Sequence, residues 1–420
     1  MAKRCPSVKD GSRTMARHIH LDDAVARLQA VVQPVSGRSR SSLMDALDRV
    51  LAQDVIAGFA IPQYTNSAMD GYAVDTRALE PESETRLRVA LRVTAGDVPG
   101  QSVSAGEAAR IFTGAVLPDG TDAVVMQEIC QRDGQMVVVP PGIVAGDNCR
   151  CVGQDVSVGQ TVLRAGTRLR PQELALAAAA GKSTLTVYNR LRVAVFSTGN
   201  ELREPGVDLP PGCIHDANRY GIVSILKWLG CDVFDLGIVL DEADAIRARL
   251  RDAAADCDLI VTSGGMSVGE EDHVKDAIRN LGSLDFWRIA IKPGKPLGFG
   301  KVGGIPLLGL PGNPVSALVT LMLIGRPLIL TLSGVNQTSL LRFKAIAGFD
   351  YHSKLGRREF LRGKIFVGAD TKIWIDKFRT DSSGVLSSLT ETDGLVDIAE
   401  EQTTICNGEL VDFLPFHGLR

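Results

Sequence analysis

Leu21, Val25, Leu28 and Val32 recur at helical spacing behind Asp22 and Asp23, so the chain predicts a first helix over 21–32. Residues 42–50 repeat that spacing and predict a second. Between Val55 and Val139 the pattern changes to short β-type runs, at 87–93, 108–112, 123–127 and 136–139, cut by Gly, Pro and Asp. This stretch reads as a small β-rich domain. Turn signals at Gly146, Gly159 and Gly166 follow, and then an alanine-rich helix opened by Pro171 and closed by Gly181, which reads as a linking module.

From Leu191 apolar strands alternate with amphipathic helices, the mark of a parallel sheet with crossover helices. Strands are expected at 192–197, 232–238, 259–262 and 305–310, with helices at 219–229, 242–255, 272–281 and 314–332, giving a doubly wound α/β domain. Beyond Gly334 the runs 341–347, 359–367, 372–378 and 409–413 are β-like again and fit a small C-terminal β-barrel. The fold class is therefore multidomain α/β and β.

Length agrees, because 420 residues exceed what one hydrophobic core holds and divide into two to four units. Apolar residues at 45% and charged residues at 23% can bury several cores, which excludes a disordered chain. A net charge of −3 provides no field for nucleic acid, so no nucleic-acid partner is expected and any basic site must be local. Eight scattered cysteines, with only Cys149-Arg150-Cys151 closely spaced, make a poor zinc pattern and predict free thiols in a reducing compartment. Met1 to Thr14 has no apolar core of the signal-peptide kind, and Met15 offers a second start, so a loose tail and a cytoplasmic protein are expected. The apolar stretch 315–332 comes closest to a membrane span but is broken by Gly325, Arg326 and Pro327, which predicts a buried helix and no membrane partner.

In open α/β sheets ligands bind beyond the carboxyl ends of the strands. Three loops there are unusual: Ser197-Thr198-Gly199-Asn200-Glu201, then Thr262 through Ser263-Gly264-Gly265-Met266-Ser267 to Glu270-Glu271-Asp272, and Gly309-Leu310-Pro311-Gly312-Asn313-Pro314. Glycines let the backbone approach a ligand, and the following helix presents its positive end to an anion. Each loop alone is also a plain strand-to-helix turn; three at one sheet edge point to a phosphate-bearing ligand. None is a dinucleotide or Walker fingerprint. Lys292-Pro293-Gly294-Lys295-Pro296 holds two cations in a stiff frame, suited to an anion clamp or to a surface turn. Glu201, Asp241, Glu270, Glu271 and Asp272 lie in or near the same loops. Carboxylates beside an anionic ligand call for a bridging cation, here Mg²⁺, or for proton transfer, although helix capping accounts for one or two of them. Asn66 to Val74, NSAMDGYAV, contains an Asp-Gly pair that a hairpin turn alone would explain. No pattern of a zinc or serine hydrolase is present.

Taken together, NSAMDGYAV, Thr113-Gly114-Ala115, Val124-Val125-Met126-Gln127-Glu128, Ser197-Thr198-Gly199 with Glu201-Leu202, Ser263-Gly264-Gly265 through Glu270, IKPGKP over 291–296 and GLPGNPVSA over 309–317 closely resemble, in order and spacing, the MoeA and gephyrin E-domain family of molybdopterin molybdenumtransferases. The match runs from about residue 18 to about 415. The resemblance implies a tail at 1–17, a linking module from 18–50 and 147–187, a β-rich domain at 51–146, a molybdopterin-binding α/β domain at 188–333 and a β-barrel at 334–420. It further implies a cytoplasmic homodimer with its cleft between subunits, which inserts molybdate into adenylylated molybdopterin with Mg²⁺ and releases AMP. A molybdopterin adenylyltransferase and molybdoenzymes or their chaperones are the implied protein partners.

By position, Asp70, Thr113, Asp155, Glu201 and Asp272 resemble the family's residues for insertion, with Glu201 and Asp272 at the metal. Ser263, Gly264, Gly265, Ser267, Asp241, Arg288, Lys292, Lys295, Pro311, Gly312, Asn313 and Pro314 resemble its substrate-binding set. The chain departs from the pattern at Asn200, Gln154, Arg288 and Cys151-Val152, which replace an aspartate, a glutamate, a lysine and part of an arginine run. A tungstate-handling paralogue, the sibling adenylyltransferase and a receptor-anchoring scaffold are the competing readings. The adenylyltransferase leaves NSAMDGYAV unexplained, and a pure scaffold leaves Asp70, Glu201 and Asp272 unexplained.

Overall fold

The structure, a computed structural model, describes residues 19–35, 37–97, 100–265, 273–294 and 296–419. The chain divides into two compact units, one from 1–39, 48–50 and 187–420, the other from 40–47 and 51–186.

In the first unit a six-stranded sheet runs in the order Asp232–Val239, Arg192–Thr198, Leu259–Ser263, Ile305–Leu310, Pro296–Val302, Gly282–Arg288. The first four strands are parallel, as expected, and the inner ones, Arg192–Thr198, Leu259–Ser263 and Ile305–Leu310, are largely apolar because helices cover both faces, whereas the edge strand Asp232–Val239 carries Asp232 and Asp235. On one face Ile222, Ile225 and Leu226 of the Asn218–Trp228 helix pack with Val315, Leu323 and Leu328. On the other, Ile246 and Leu250 of Ala243–Asp256 meet Val274 and Ile278 of His273–Leu281. Each such side chain contributes roughly 1.5–3 kcal/mol when fully buried.

The sheet departs from the expected all-parallel form at its last two strands, which are antiparallel. They form because the 282–302 segment is long enough to turn back at 289–294. The 314–332 helix is present as two α-helical pieces, Pro314–Thr320 and Arg326–Leu332, joined by a π-helical turn, Leu321–Gly325. Of its most apolar window 83% is buried, so among the described residues the one helix long and apolar enough to cross a membrane is a core helix.

Five strands of the C-terminal region, Phe343–Ala347, Arg358–Val367, Ile373–Lys377, Gly394–Ile398 and Leu410–Pro415, close into a barrel around Val396, Ile375 and Phe413. Ile291–Lys292 adds to this barrel as a parallel strand beside Arg358 and Glu359. The motif carrying Lys292 is therefore held by the barrel as well as by the α/β sheet.

The second unit is built on a six-stranded sheet in the order Ala123–Met126, Gly71–Val74, Glu107–Ile111, Thr85–Val93, Met136–Val139, Gln131–Asp133. The hairpin that Asp70-Gly71 would allow does not form: Gly71 opens a central strand, and a Cβ there would lie 2.0 Å from the Val125 carbonyl oxygen. Close strand approach, not turn geometry, requires this glycine. The second helix expected over 42–50 is only a 3₁₀ turn at Leu43–Asp45, since Asp48 at φ 61° leaves the helical region.

Candidate functional site

At the carboxyl edge of the parallel strands lies a cleft of about 980 Å³, the size of a small-molecule site. Of the residues expected there, Glu201, Asp241, Gly264, Gly265, Lys292, Pro311, Gly312, Asn313 and Pro314 line it. Ser263 is buried just beneath, within reach of the Pro311 carbonyl at 3.5 Å. Arg288 is exposed and lies outside the lining, although it pairs in register with Pro296, which belongs to it. Ser267, Asp272 and Lys295, like Glu270, Glu271 and Met1 to Thr14, lie outside the described residues.

Strand ends and one asparagine set the shape. Gly264 has φ 90°, and a Cβ there would stand 2.3 Å from the Thr198 carbonyl oxygen, so two neighbouring strand ends touch through a glycine. Asn218, at the start of its helix, donates to Ser263 Oγ at 2.8 Å and to the Gly312 carbonyl at 2.7 Å. One amide thus ties two of the loops to the start of the Asn218–Trp228 helix. Sequence reasoning missed Asn218 because an asparagine at a helix start reads as an ordinary cap. The buried hydroxyls of Ser197, Thr198 and Thr262 find no partner among the described residues, and Thr198 faces the cleft.

One wall is acidic. Glu201 folds back over Gly199, whose added Cβ would meet its carboxylate at 2.6 Å, and Asp241 lines the same cleft. Among the described residues no three His, Cys, Asp or Glu groups gather closely enough to hold a metal by themselves.

The opposite end mixes cations, hydroxyls and carboxylates, and much of it comes from the barrel. Arg357, Asp381, Ser382 and Ser383 line the cleft beside Lys292, Asn313 and Ser316. Lys292 Nζ donates to Tyr351 Oη at 3.1 Å, to Glu359 at 3.3 Å and, closer still, to Asp381. Glu359, only 1% exposed, also accepts from Arg357 at 2.7 Å and from Tyr351 at 2.7 Å. Burial lowers the pKa of the Lys292 ammonium, but its bonds to Asp381 and Tyr351 outweigh that and hold it above the ordinary lysine value. Tyr351 is pushed up to about 12, first by burial and then by Glu359. Burial raises Glu359, yet hydrogen bonds from Arg357 and Tyr351 bring it below the usual carboxylate range. Lys292 is thus neutralised by carboxylates, of which Asp381 is the more exposed. The neighbouring Arg357 keeps a buried Nε without a partner among the described residues.

The barrel's loop is itself braced. Arg362, 1% exposed inside a strand, donates to the carbonyls of Thr380 at 3.0 Å and Ser382 at 3.1 Å. Asn313 reaches Ser383 Oγ at 3.1 Å. The one available signal was the row Arg357-Arg358-Glu359-Phe360-Leu361-Arg362, a charged run with strand periodicity whose members are largely buried.

In the second unit, Asp70 and Thr113 come together: the Thr113 backbone N–H and hydroxyl donate to one Asp70 oxygen at 2.8 and 2.7 Å. These bonds, backbone first, hold the carboxyl below its ordinary value. Arg110, which sequence reasoning did not select, donates to the Gly71 carbonyl at 2.9 Å and to Gln127. Asp155 is exposed, with its N–H bonded to Ile61 O at 3.0 Å.

A second hollow of about 850 Å³ lies at the amino edge of the sheet. Its cations serve the scaffold: Arg49 donates to Tyr188 O at 2.8 Å, Arg190 to Gly230 O at 3.1 Å behind a helix end, and Arg192 pairs with Asp258 at 3.4 Å. The carboxyl edge is the better candidate.

Along nearly its whole length the chain is similar to known proteins. Residues 19–181 match the MoeA N-terminal region (domains I and II), 194–331 the "Probable molybdopterin binding domain" and 344–416 the MoeA C-terminal region (domain IV). It is 37% identical over 380 residues to a molybdopterin molybdenumtransferase of Haemophilus influenzae, covering 90% of this chain and 94% of that one. It is 35% identical over 393 residues to molybdopterin molybdenumtransferase 2 of Mycobacterium tuberculosis, covering 91% and 95%. A crystal structure of the molybdopterin biosynthesis MoeA protein of Pyrococcus horikoshii superposes with a TM-score of 0.81 at 28% identity, covering 95% of this chain and 100% of the other.

Proposed function

The chain belongs to the molybdopterin molybdenumtransferase family, and on that premise we propose that it inserts molybdenum from molybdate into adenylylated molybdopterin, releasing AMP and producing molybdenum cofactor. One observation carries this reading: a single cleft joins an acidic wall, Glu201 and Asp241, to an end bearing Lys292, Arg357 and the hydroxyls of Ser316, Ser382 and Ser383. An oxyanion is held by cations and hydroxyl donors, whereas removal of oxo groups as water takes protons from nearby acids. Molybdate fits the cation and hydroxyl end, and the glycine loops and the Asn313-Pro314 helix start fit the phosphates of the adenylylated pterin.

Magnesium fits the acidic wall by the chemistry of its donors. Glu201 and Asp241 are hard oxygen ligands, and two carboxylates completed by substrate phosphates are a set this ion accepts. Asp272 is the third carboxylate assigned there from the resemblance. Bound there, the ion supplies positive charge to the phosphate oxygens. The protein's own residues orient the pterin against Gly264 and Gly265, hold molybdate at Lys292 and Arg357, and with the Glu201 carboxylate hold the ion beside the phosphates.

Asp70, Thr113 and Asp155 are assigned to the same reaction, the active species is a homodimer, and the domain limits and cytoplasmic location expected above belong to this reading. The free thiols at Cys130, Cys149, Cys151, Cys213, Cys231, Cys257 and Cys406 support the location. The test is direct: purified protein, Mg²⁺, molybdate and adenylylated molybdopterin should yield AMP in a molybdate-dependent manner together with cofactor that activates an apo-molybdoenzyme. Absence of molybdate-dependent AMP defeats the proposal.

A further inference from the structure

Glu201 rides on a segment with little packing of its own. Among the described residues, 199–216 form a ribbon paired only at Leu202–Arg203 and Ile214–His215, and Val207, Leu209 and Ile214 are 50%, 45% and 55% exposed. Its internal bonds, Leu202 N–H to Gly199 O at 3.1 Å and Ile214 N–H to Glu201 O at 2.9 Å, fix its local shape but not its place on the domain.

That place is set by Arg219. The guanidinium is 4% exposed and donates to three carboxylates: Nε to Asp216 at 3.0 Å, Nη1 to Asp235 at 2.6 and 2.5 Å, and Nη2 to Glu204 at 2.5 Å. Arg219 belongs to the Asn218–Trp228 helix and Asp235 to the edge strand of the sheet, both rigid elements. Glu204 lies on the ribbon, three residues beyond Glu201, and Tyr220 also donates to it at 3.2 Å. Three carboxylates around one buried cation exceed what neutralisation needs, and buried ion pairs are poor stabilisers compared with apolar packing. Such a cluster is well suited to holding a flexible segment in one position, since charge-assisted bonds to a planar guanidinium are directional.

We infer that Arg219 is a positioning residue for the insertion reaction, acting through Glu204 to keep the 199–216 ribbon, and with it the Glu201 carboxylate, over the cleft. This rests on the assignment of Glu201 made above.

Glu204→Ala removes the tie near Glu201 while leaving Arg219 paired with Asp235 and with Asp216 at the far end of the ribbon, so the part of the ribbon that carries Glu201 is freed and the fold has its core contacts intact. Glu204→Gln restores a neutral acceptor for the guanidinium. The expected result for Glu204→Ala is a melting temperature close to that of the parent and faster amide exchange confined to 199–216. Its kcat for molybdate-dependent AMP release should fall about 10- to 100-fold, the scale of a misplaced group, with KM for adenylylated molybdopterin within about twofold. Glu204→Gln should recover part of the rate. Glu201→Gln serves as the control for the underlying assignment. If Glu201→Gln turns over normally, that assignment fails and the inference falls with it. If Glu201→Gln is inactive while Glu204→Ala has normal exchange and kcat, the positioning role alone is overturned. A raised KM or a lowered melting temperature in both Glu204 variants, without a separate loss of kcat, would mark the cluster as merely structural and equally overturn it.

Discussion

Asp381→Asn should tighten the binding of molybdate. Asp381 accepts a bond from Lys292 and lines the cleft, while Glu359, 1% exposed, holds the ammonium from behind. An incoming dianion therefore competes with a carboxylate that the protein supplies. Asparagine keeps the shape and removes the charge. Asp381 is 42% exposed, so solvent screens the pair and its worth is about 0–1 kcal/mol. Removing this competitor should improve affinity by at most that amount, up to about fivefold. The global stability change has the same small ceiling. The hydrogen bond from Lys292 holds the Asp381 carboxyl below its ordinary 3.8. Its stabilisation is thus complete above 3.8 and is lost as pH falls through the lower folded value. Wild type and Asp381→Asn should accordingly converge in stability at the acid end. Isothermal titration with sodium molybdate, with sulfate in parallel and at two salt concentrations, measures the affinity. Unchanged or weaker molybdate binding by Asp381→Asn would refute the competition and make Asp381 a support for Lys292.

Lys292→Met should weaken molybdate binding and lower stability by about 1–3 kcal/mol, because Glu359 stays buried with only Arg357 to neutralise it; normal chemical denaturation of the variant would contradict this. Gly264→Ala should cost about 1–3 kcal/mol for strain at φ 90° and contact with Thr198 O, whereas Gly312→Ala, with nothing within 4 Å of the new Cβ, should melt like the parent; equal melting temperatures for the two would be the wrong outcome. Asp70→Asn retains an oxygen that can accept from Thr113, so the protein should stay folded while turnover drops about 10²-fold or more, as for loss of an acid or base; wild-type AMP release would remove Asp70 from the reaction.

The inner parallel strands could be read from the chain because burial on both faces makes them nearly continuous apolar runs, as Val193, Ala194, Val195 and Phe196 illustrate with no exposure at all. The glycine loops were equally visible, since Gly264 stands where only a missing side chain permits contact with Thr198. The last two strands of the sheet, Pro296–Val302 and the edge strand Gly282–Arg288, escaped because Gly298, Gly300 and Gly282 break the β-type pattern. Those at 282 and 300 are there because a Cβ would strike a backbone carbonyl of the neighbouring strand, at 1.9 and 2.2 Å. A glycine that marks a turn and one that marks a close strand pair look the same in one dimension.

The barrel's share of the cleft was hidden for a different reason. Arg357 and Asp381 stand 65 and 89 residues from Lys292, and no local period relates them. What joins them is the Ile291–Lys292 strand, which leaves the α/β sheet to pair with Arg358 and Glu359. That pairing places a lysine chosen for its Pro-Gly frame against Glu359, whose burial obliges it to find cations. On the proposed reading Lys292 therefore has two demands on it: Glu359 needs its charge for the fold, and molybdate would need it in the cleft. Three donor hydrogens on a single ammonium can meet both only if one acceptor is exchangeable, and Asp381, the more exposed of the two carboxylates, is that acceptor.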